Sequence, residues 1–99
     1  MLHTVNKSPF ERNALKSCLD HCRNGDAVLL IEDGVIGALD NTEFTAMVKE
    51  KMGTVKVYAL AADLEARGIG SRALAGIELV DYSGFVDLAA EHNPVQAWL

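Results

Sequence analysis

Ala27-Val28-Leu29-Leu30-Ile31-Glu32-Asp33-Gly34 is the stretch whose reading decides the fold. Five apolar residues run without a break, then two acids and a glycine stop them. A continuous aliphatic run closed by a turn signal predicts a strand buried on both faces. Such strands belong to parallel sheets with helices on either side. Glu32 and Asp33 are thereby placed at the carboxyl end of a central strand, where open α/β sheets usually hold their sites.

Toward the N-terminus, Leu2-His3-Thr4-Val5-Asn6 is short and β-prone and reads as the first strand. Ser8-Pro9-Phe10-Glu11 has the form of a helix start: an N-cap serine, proline at the first helical position and a glutamate to close the capping box. The helix is predicted to run to about Arg23, with Asn24-Gly25 ending it. Phe10, Ala14, Leu15, Cys18, Leu19 and Cys22 then share one broad stripe. Toward the C-terminus, a short helical turn over Gly34–Leu39 precedes a helix of about Glu43–Met52. A strand over Val55–Leu60, a helix over Ala61–Arg67, a strand over Ile77–Asp81 and a helix from about Gly84 to His92 follow. Asn93-Pro94 breaks the last helix. Val95-Gln96-Ala97-Trp98-Leu99 is apolar and holds the only tryptophan, so either it docks on the sheet as a fifth strand or Trp98 and Leu99 enter a subunit contact. Alternating strands and helices argue an α/β domain spanning residues 1–99: a small doubly wound parallel sheet of four or five strands with helices on both faces.

Composition narrows the function. A chain of 99 residues with 49% hydrophobic content can build one core. Its formal charge of −5 argues against nucleic acid or an anionic membrane as the main partner, since both need a basic face. No apolar run reaches the roughly 20 residues of a membrane span. The opening residues lack the order of a signal peptide, so a reducing cytoplasm is expected for the two cysteines.

Few residues have a chemical signature. Gly68-Ile69-Gly70-Ser71-Arg72-Ala73 spells a dinucleotide string, but it follows a helix instead of a strand and reads as a loop. His3 reads as a strand histidine satisfied by a backbone partner, because His21 and His92 offer no companion at metal-ligand spacing. No Ser-His-Asp order, P-loop, HExxH or zinc tetrad is present. Cys18 and Cys22 remain. At i and i+4 their Cβ atoms are about 5–6 Å apart on one helix face, too far for an undistorted helix to close a disulfide. Two sulfurs alone do not make a zinc site. They are either small apolar core residues, thiols that accept and pass sulfur, or a metal-binding or redox-sensing dithiol. A mid-helix position gives Cys18 no N-terminal dipole to lower its pKa.

The pattern as a whole resembles a known family. Met1-Leu2-His3-Thr4, the Ser8-Pro9 start and the Glu32-Asp33-Gly34-Val35 turn are similar to the DsrH/TusB family of sulfur-relay proteins. So are Val57-Tyr58-Ala59-Leu60, Asp63-Leu64-x-Ala66-Arg67-Gly68, Asp81-Tyr82-x-x-Phe85-Val86 and the final Ala97-Trp98-Leu99. These blocks span essentially the whole chain in order. The resemblance implies a DsrEFH-like fold and a cytoplasmic subunit of a DsrEFH or TusBCD complex, a dimer of heterotrimers. It implies DsrE- and DsrF-like (or TusD- and TusC-like) siblings, a DsrC/TusE-like sulfur acceptor downstream, and no metal or organic cofactor. The principal sulfur-carrying cysteine would be on the DsrE- or TusD-type sibling. The DsrH branch serves sulfur oxidation and the TusB branch serves 2-thiouridine formation in tRNA. Leu15-Lys16-Ser17-Cys18-Leu19 resembles the DsrH branch, whose helix carries a cysteine that TusB-type chains generally lack. The expectation is therefore a DsrH-type subunit with Cys18 as a secondary persulfide site. The alternatives are a TusB-type subunit and a purely structural one.

Overall fold

A computed structural model describes residues 1–99. Five parallel strands, β1 (Leu2–Val5), β2 (Ala27–Leu30), β3 (Lys56–Leu60), β4 (Glu78–Val80) and β5 (Val95–Trp98), form one sheet in the order β4-β3-β2-β1-β5. Four α-helices connect them: α1 (Ala14–His21), α2 (Thr45–Lys51), α3 (Ala61–Ala66) and α4 (Tyr82–Glu91). The run that opens the sequence is β2. All four of its residues are buried, because it has a strand on each side and helices on each face. The final segment takes the sheet-docking alternative and forms edge strand β5.

Strand order explains how the helices divide. From β1 to β4 the chain steps one way across the sheet, and α1, α2 and α3 cover one face. It then returns past three strands to the far side of β1, and α4 crosses the other face. Alternate strand residues feed the two cores. Val5, Val28, Leu30, Val57 and Ala59 join Leu15, Cys18, Leu19, Val48 and Leu64 in a cluster of 16 buried residues. Leu2, Ala27, Leu29, Tyr58 and Leu88 form a cluster of only 5 on the other face. The sheet is covered on both sides, but unequally.

The first helix departs from its predicted limits. Ser8 Oγ accepts the Phe10 N–H at 3.2 Å, and the Ser8 carbonyl accepts the N–H groups of Glu11 and Arg12 at 3.0 Å each. Those bonds close a separate turn, so the capping box does not form and α1 begins only at Ala14. Phe10 leaves the predicted stripe and packs edge-on against Phe44, with ring centroids 4.9 Å apart. At the other end, Cys22 turns extended (ψ 142°) and the Asp26 carboxylate takes the Arg23 N–H at 3.0 Å. Helix geometry therefore stops at His21. A seven-residue 3-10 helix over Glu32–Ala38 replaces the predicted short turn. Within it, Gly34 lies so close to β1 that a Cβ would overlap the Val5 carbonyl oxygen. Asp81 caps α4 by accepting the Gly84 N–H at 2.7 Å, so the helix begins at Tyr82, two residues upstream of the predicted start. The Gly68–Ala73 string holds a 3-10 turn over Gly70–Arg72 and a bridge from Ala73 to Leu39.

Candidate thiol–imidazole site

The carboxyl end of β2 is built as structure. Glu32 adopts a left-handed φ of 50°, and its N–H donates to the Asp63 carboxylate at 2.6 Å. Arg67 donates from Nε (3.0 Å) and Nη2 (2.8 Å) to one oxygen of Asp33. Both acids beside Gly34 are thus tied to α3 and its C-cap, which pins the 3-10 helix to the sheet.

The chemistry-bearing side chains gather at the opposite end. Residue alternation puts His3 on the same face of β1 as Val5, the face that α1 covers. Cys18 lies at the centre of the α1 stripe, and Cys22 follows one turn later at the C-cap. The two Sγ atoms and a ring nitrogen of His3 lie within 4.8 Å of one another. Cys18 is fully buried, while Cys22 is partly open.

His3 is held from both sides. Trp98 Nε1–H donates to His3 Nδ1 at 3.0 Å. An indole N–H can only donate, so Nδ1 is the lone-pair nitrogen and the ring proton is on Nε2. Nε2–H in turn donates to Asp26 Oδ2 at 2.9 Å. The partner expected of His3 was backbone; it is instead a carboxylate and an indole, from opposite ends of the chain. Asp26 also accepts from the Met1 ammonium at 3.3 Å and from the Arg23 N–H. Burial pushes its carboxyl upward, but those three hydrogen bonds and the ammonium charge prevail and hold it down at about 2. Asp26 stays ionised and fixes the imidazole.

The thiols are unequal. A hydrogen bond with Cys22 pushes Cys18 up, reinforced by burial and by the nearby negative charges of Cys22 and Asp26. That same bond pulls Cys22 down, helped by Lys51 and the N-terminal ammonium against burial and Asp26. Of the two, Cys22 gives up its proton more readily and Cys18 holds its own. A thiolate is the nucleophile in sulfur exchange, and the more readily ionised thiol here is Cys22, one turn beyond the Cys18 that the resemblance singled out. Trp98 sits partly buried against the larger core cluster, with the His21 ring 5.4 Å away. Leu99 is 81% exposed. A cavity of about 580 Å³ opens beside them, lined in part by His3, His21, Arg23, Asp26 and Trp98.

The chain matches the family described as DsrH like protein over residues 7–95. It is 36% identical to a TusB protein of Enterobacter and 37% identical to one of Shigella flexneri, each over 98 residues. Those matches cover 99% of this chain and all of each relative. The fold is similar to that of the ychN protein of Escherichia coli (TM-score 0.80, 15% identity, 98% and 97% of the two chains). It is similar also to protein MTH1491 of Methanobacterium thermoautotrophicum (TM-score 0.74, 20% identity, 97% and 96%). At those identities the two structures speak for the fold alone, whereas the full-length TusB matches favour the TusB branch over the DsrH branch that Cys18 suggested. The chain belongs to the DsrH/TusB family of sulfur-relay proteins.

Proposed function

We propose that this chain is the TusB-type subunit of a cytoplasmic hetero-oligomer that passes persulfide sulfur between sibling subunits toward 2-thiouridine in tRNA. The observation that carries this reading is the match, end to end, to proteins named TusB. No helix is long and apolar enough to cross a membrane, which fits a cytoplasmic relay. Siblings of the TusC and TusD type would hold the main sulfur carrier, and a TusE-like protein would receive the sulfur. Within this chain the thiol pair is a secondary sulfur site. Cys22 supplies the attacking thiolate, and Cys18, the sulfur site suggested by sequence, supports it from the core. Attack of Cys22 thiolate on the outer sulfur of an incoming persulfide forms a new persulfide here and releases the donor thiolate.

Deleting the gene and measuring tRNA 2-thiouridine tests the pathway. The expected result is loss of the modification, restored by the wild-type chain. Unchanged 2-thiouridine would move the reading to the sulfur-oxidation branch that the Cys18 helix resembles. Intact-mass spectrometry of the co-expressed complex after a persulfide donor tests carriage. An adduct of about 32 Da on this chain, absent in Cys22→Ser, is expected. An adduct confined to a sibling would leave this chain a structural subunit.

A further inference from the structure

We propose that His3, Cys18 and Cys22 form a binding site for a thiophilic divalent cation of the zinc class, and that filling it breaks the Trp98–His3 hydrogen bond. Two thiols and an imidazole are the donors that zinc prefers. Their ligating atoms already lie within 4.8 Å of one another. Zinc bonds of about 2.0–2.3 Å in a tetrahedron put donor atoms about 3.4–3.8 Å apart, so closure needs a contraction of roughly 1 Å. Cys22 can supply it, because it stands beyond the last helical residue with extended backbone and is partly open. With the metal on Nδ1, the remaining partner of His3 is the one such sites use: an ionised carboxylate, Asp26, accepting the Nε2–H. The cavity beside His3 and Trp98 gives an entry path.

The indole is what the ion displaces. If the metal takes His3 Nδ1, the lone pair that Trp98 uses is gone. If it takes Nε2, the neutral ring must move its proton to Nδ1, which can no longer accept. Either way the 3.0 Å Trp98–His3 bond and the metal exclude each other. Each thiol that is protonated before binding gives its proton to solvent as it is ligated. No redox change is involved. Trp98 lies on edge strand β5, so an ion at this site loosens the edge of the sheet. This inference does not depend on sulfur carriage.

The test is a Zn²⁺ titration of the reduced full-length chain at low micromolar concentration, followed by tryptophan emission and by competition with a chromophoric chelator. Trp98 is the single tryptophan, so its emission reports this site alone. The expected result is one ion per chain, with an emission change that saturates at one equivalent. Cys22→Ser should weaken binding by more than about 100-fold, since loss of an outer partner alone costs 10–100-fold. Asp26→Asn should weaken it within that smaller range. Circular dichroism confirms that Cys22→Ser, at a partly open helix end, still folds. Absence of stoichiometric binding, binding equally tight in Cys22→Ser, or binding without a change in Trp98 emission would each overturn the proposal.

Discussion

Cys18 and Cys22 differ by one helical turn in sequence and by most of what governs thiol chemistry. Cys18 is enclosed by the larger core and holds its proton tightly; Cys22 gives its proton up more readily and keeps an open side. With iodoacetamide at neutral pH, Cys22 should be modified first. Cys18 should lag by on the order of 1,000-fold, because it reacts only through local opening. Peptide mapping at timed intervals would show this, and equal rates would refute it. In Cys18→Ala, which removes the neighbouring thiol, the Cys22 pKa should rise and its alkylation at pH 7 should slow. Asp26 supplies the pH dependence. Its carboxyl is held near 2 in the fold, below the usual 3.9, so its stabilisation is fully present above pH 5 and is lost as pH falls toward 2. Asp26→Asn should cost about 1–3 kcal/mol at pH 7 through the lost charged hydrogen bonds. It should also flatten acid unfolding between pH 5 and 2, and a parallel pair of acid curves would count against this.

At the scale of elements, Gly34 is the tightest joint. The 3-10 helix passes β1 so closely that a methyl group meets the Val5 carbonyl, a backbone atom that cannot rotate away. Gly34→Ala should therefore destabilise by about 3 kcal/mol or more, measured by denaturant unfolding. A loss under 1 kcal/mol would show that the joint yields. Arg67→Ala, by contrast, removes an ion pair whose two side chains are 30% and 53% exposed and should cost less than about 1 kcal/mol. Most of the element order was legible in the sequence, since β2 is a continuous apolar run, β3 is apolar from Val57 to Leu60, and glycine or proline punctuates the helices. The start of α1 was not. Ser8-Pro9-Phe10-Glu11 has the letters of a capping box, but the serine spends its oxygens on a local turn and Phe10 finds Phe44. The site was half legible. Spacing identifies the thiol pair, whereas His3, Asp26 and Trp98 join it only through sheet register and the packing of α1. No local signal carries that information.

For the whole molecule, the uneven covering of the sheet matters most. One face is buried under three helices, and the other is shielded by α4 alone, whose Tyr82 and Val86 are 71% and 53% exposed. Both sheet edges also carry open apolar side chains, Leu79 on β4 and Val95 on β5, and unpaired edges invite association. Expressed without siblings, the chain should self-associate with increasing concentration in analytical ultracentrifugation. Val86→Glu or the presence of siblings should reduce that association. A monomer stable at high concentration would argue that these surfaces are not contact sites. The Trp98–His3 bond has a further consequence, for the order of assembly. Its partners are 95 residues apart, yet β1 and β5 are hydrogen-bonded neighbours. On the ribosome β1 emerges early, and its outer edge stays unmatched until β5 follows more than 90 residues later. Loop-closure entropy makes contacts of such range among the last to form. The imidazole is thus held from both sides only in a chain translated through Trp98, so a prematurely terminated chain presents an open strand and a histidine held by Asp26 alone to the quality-control machinery.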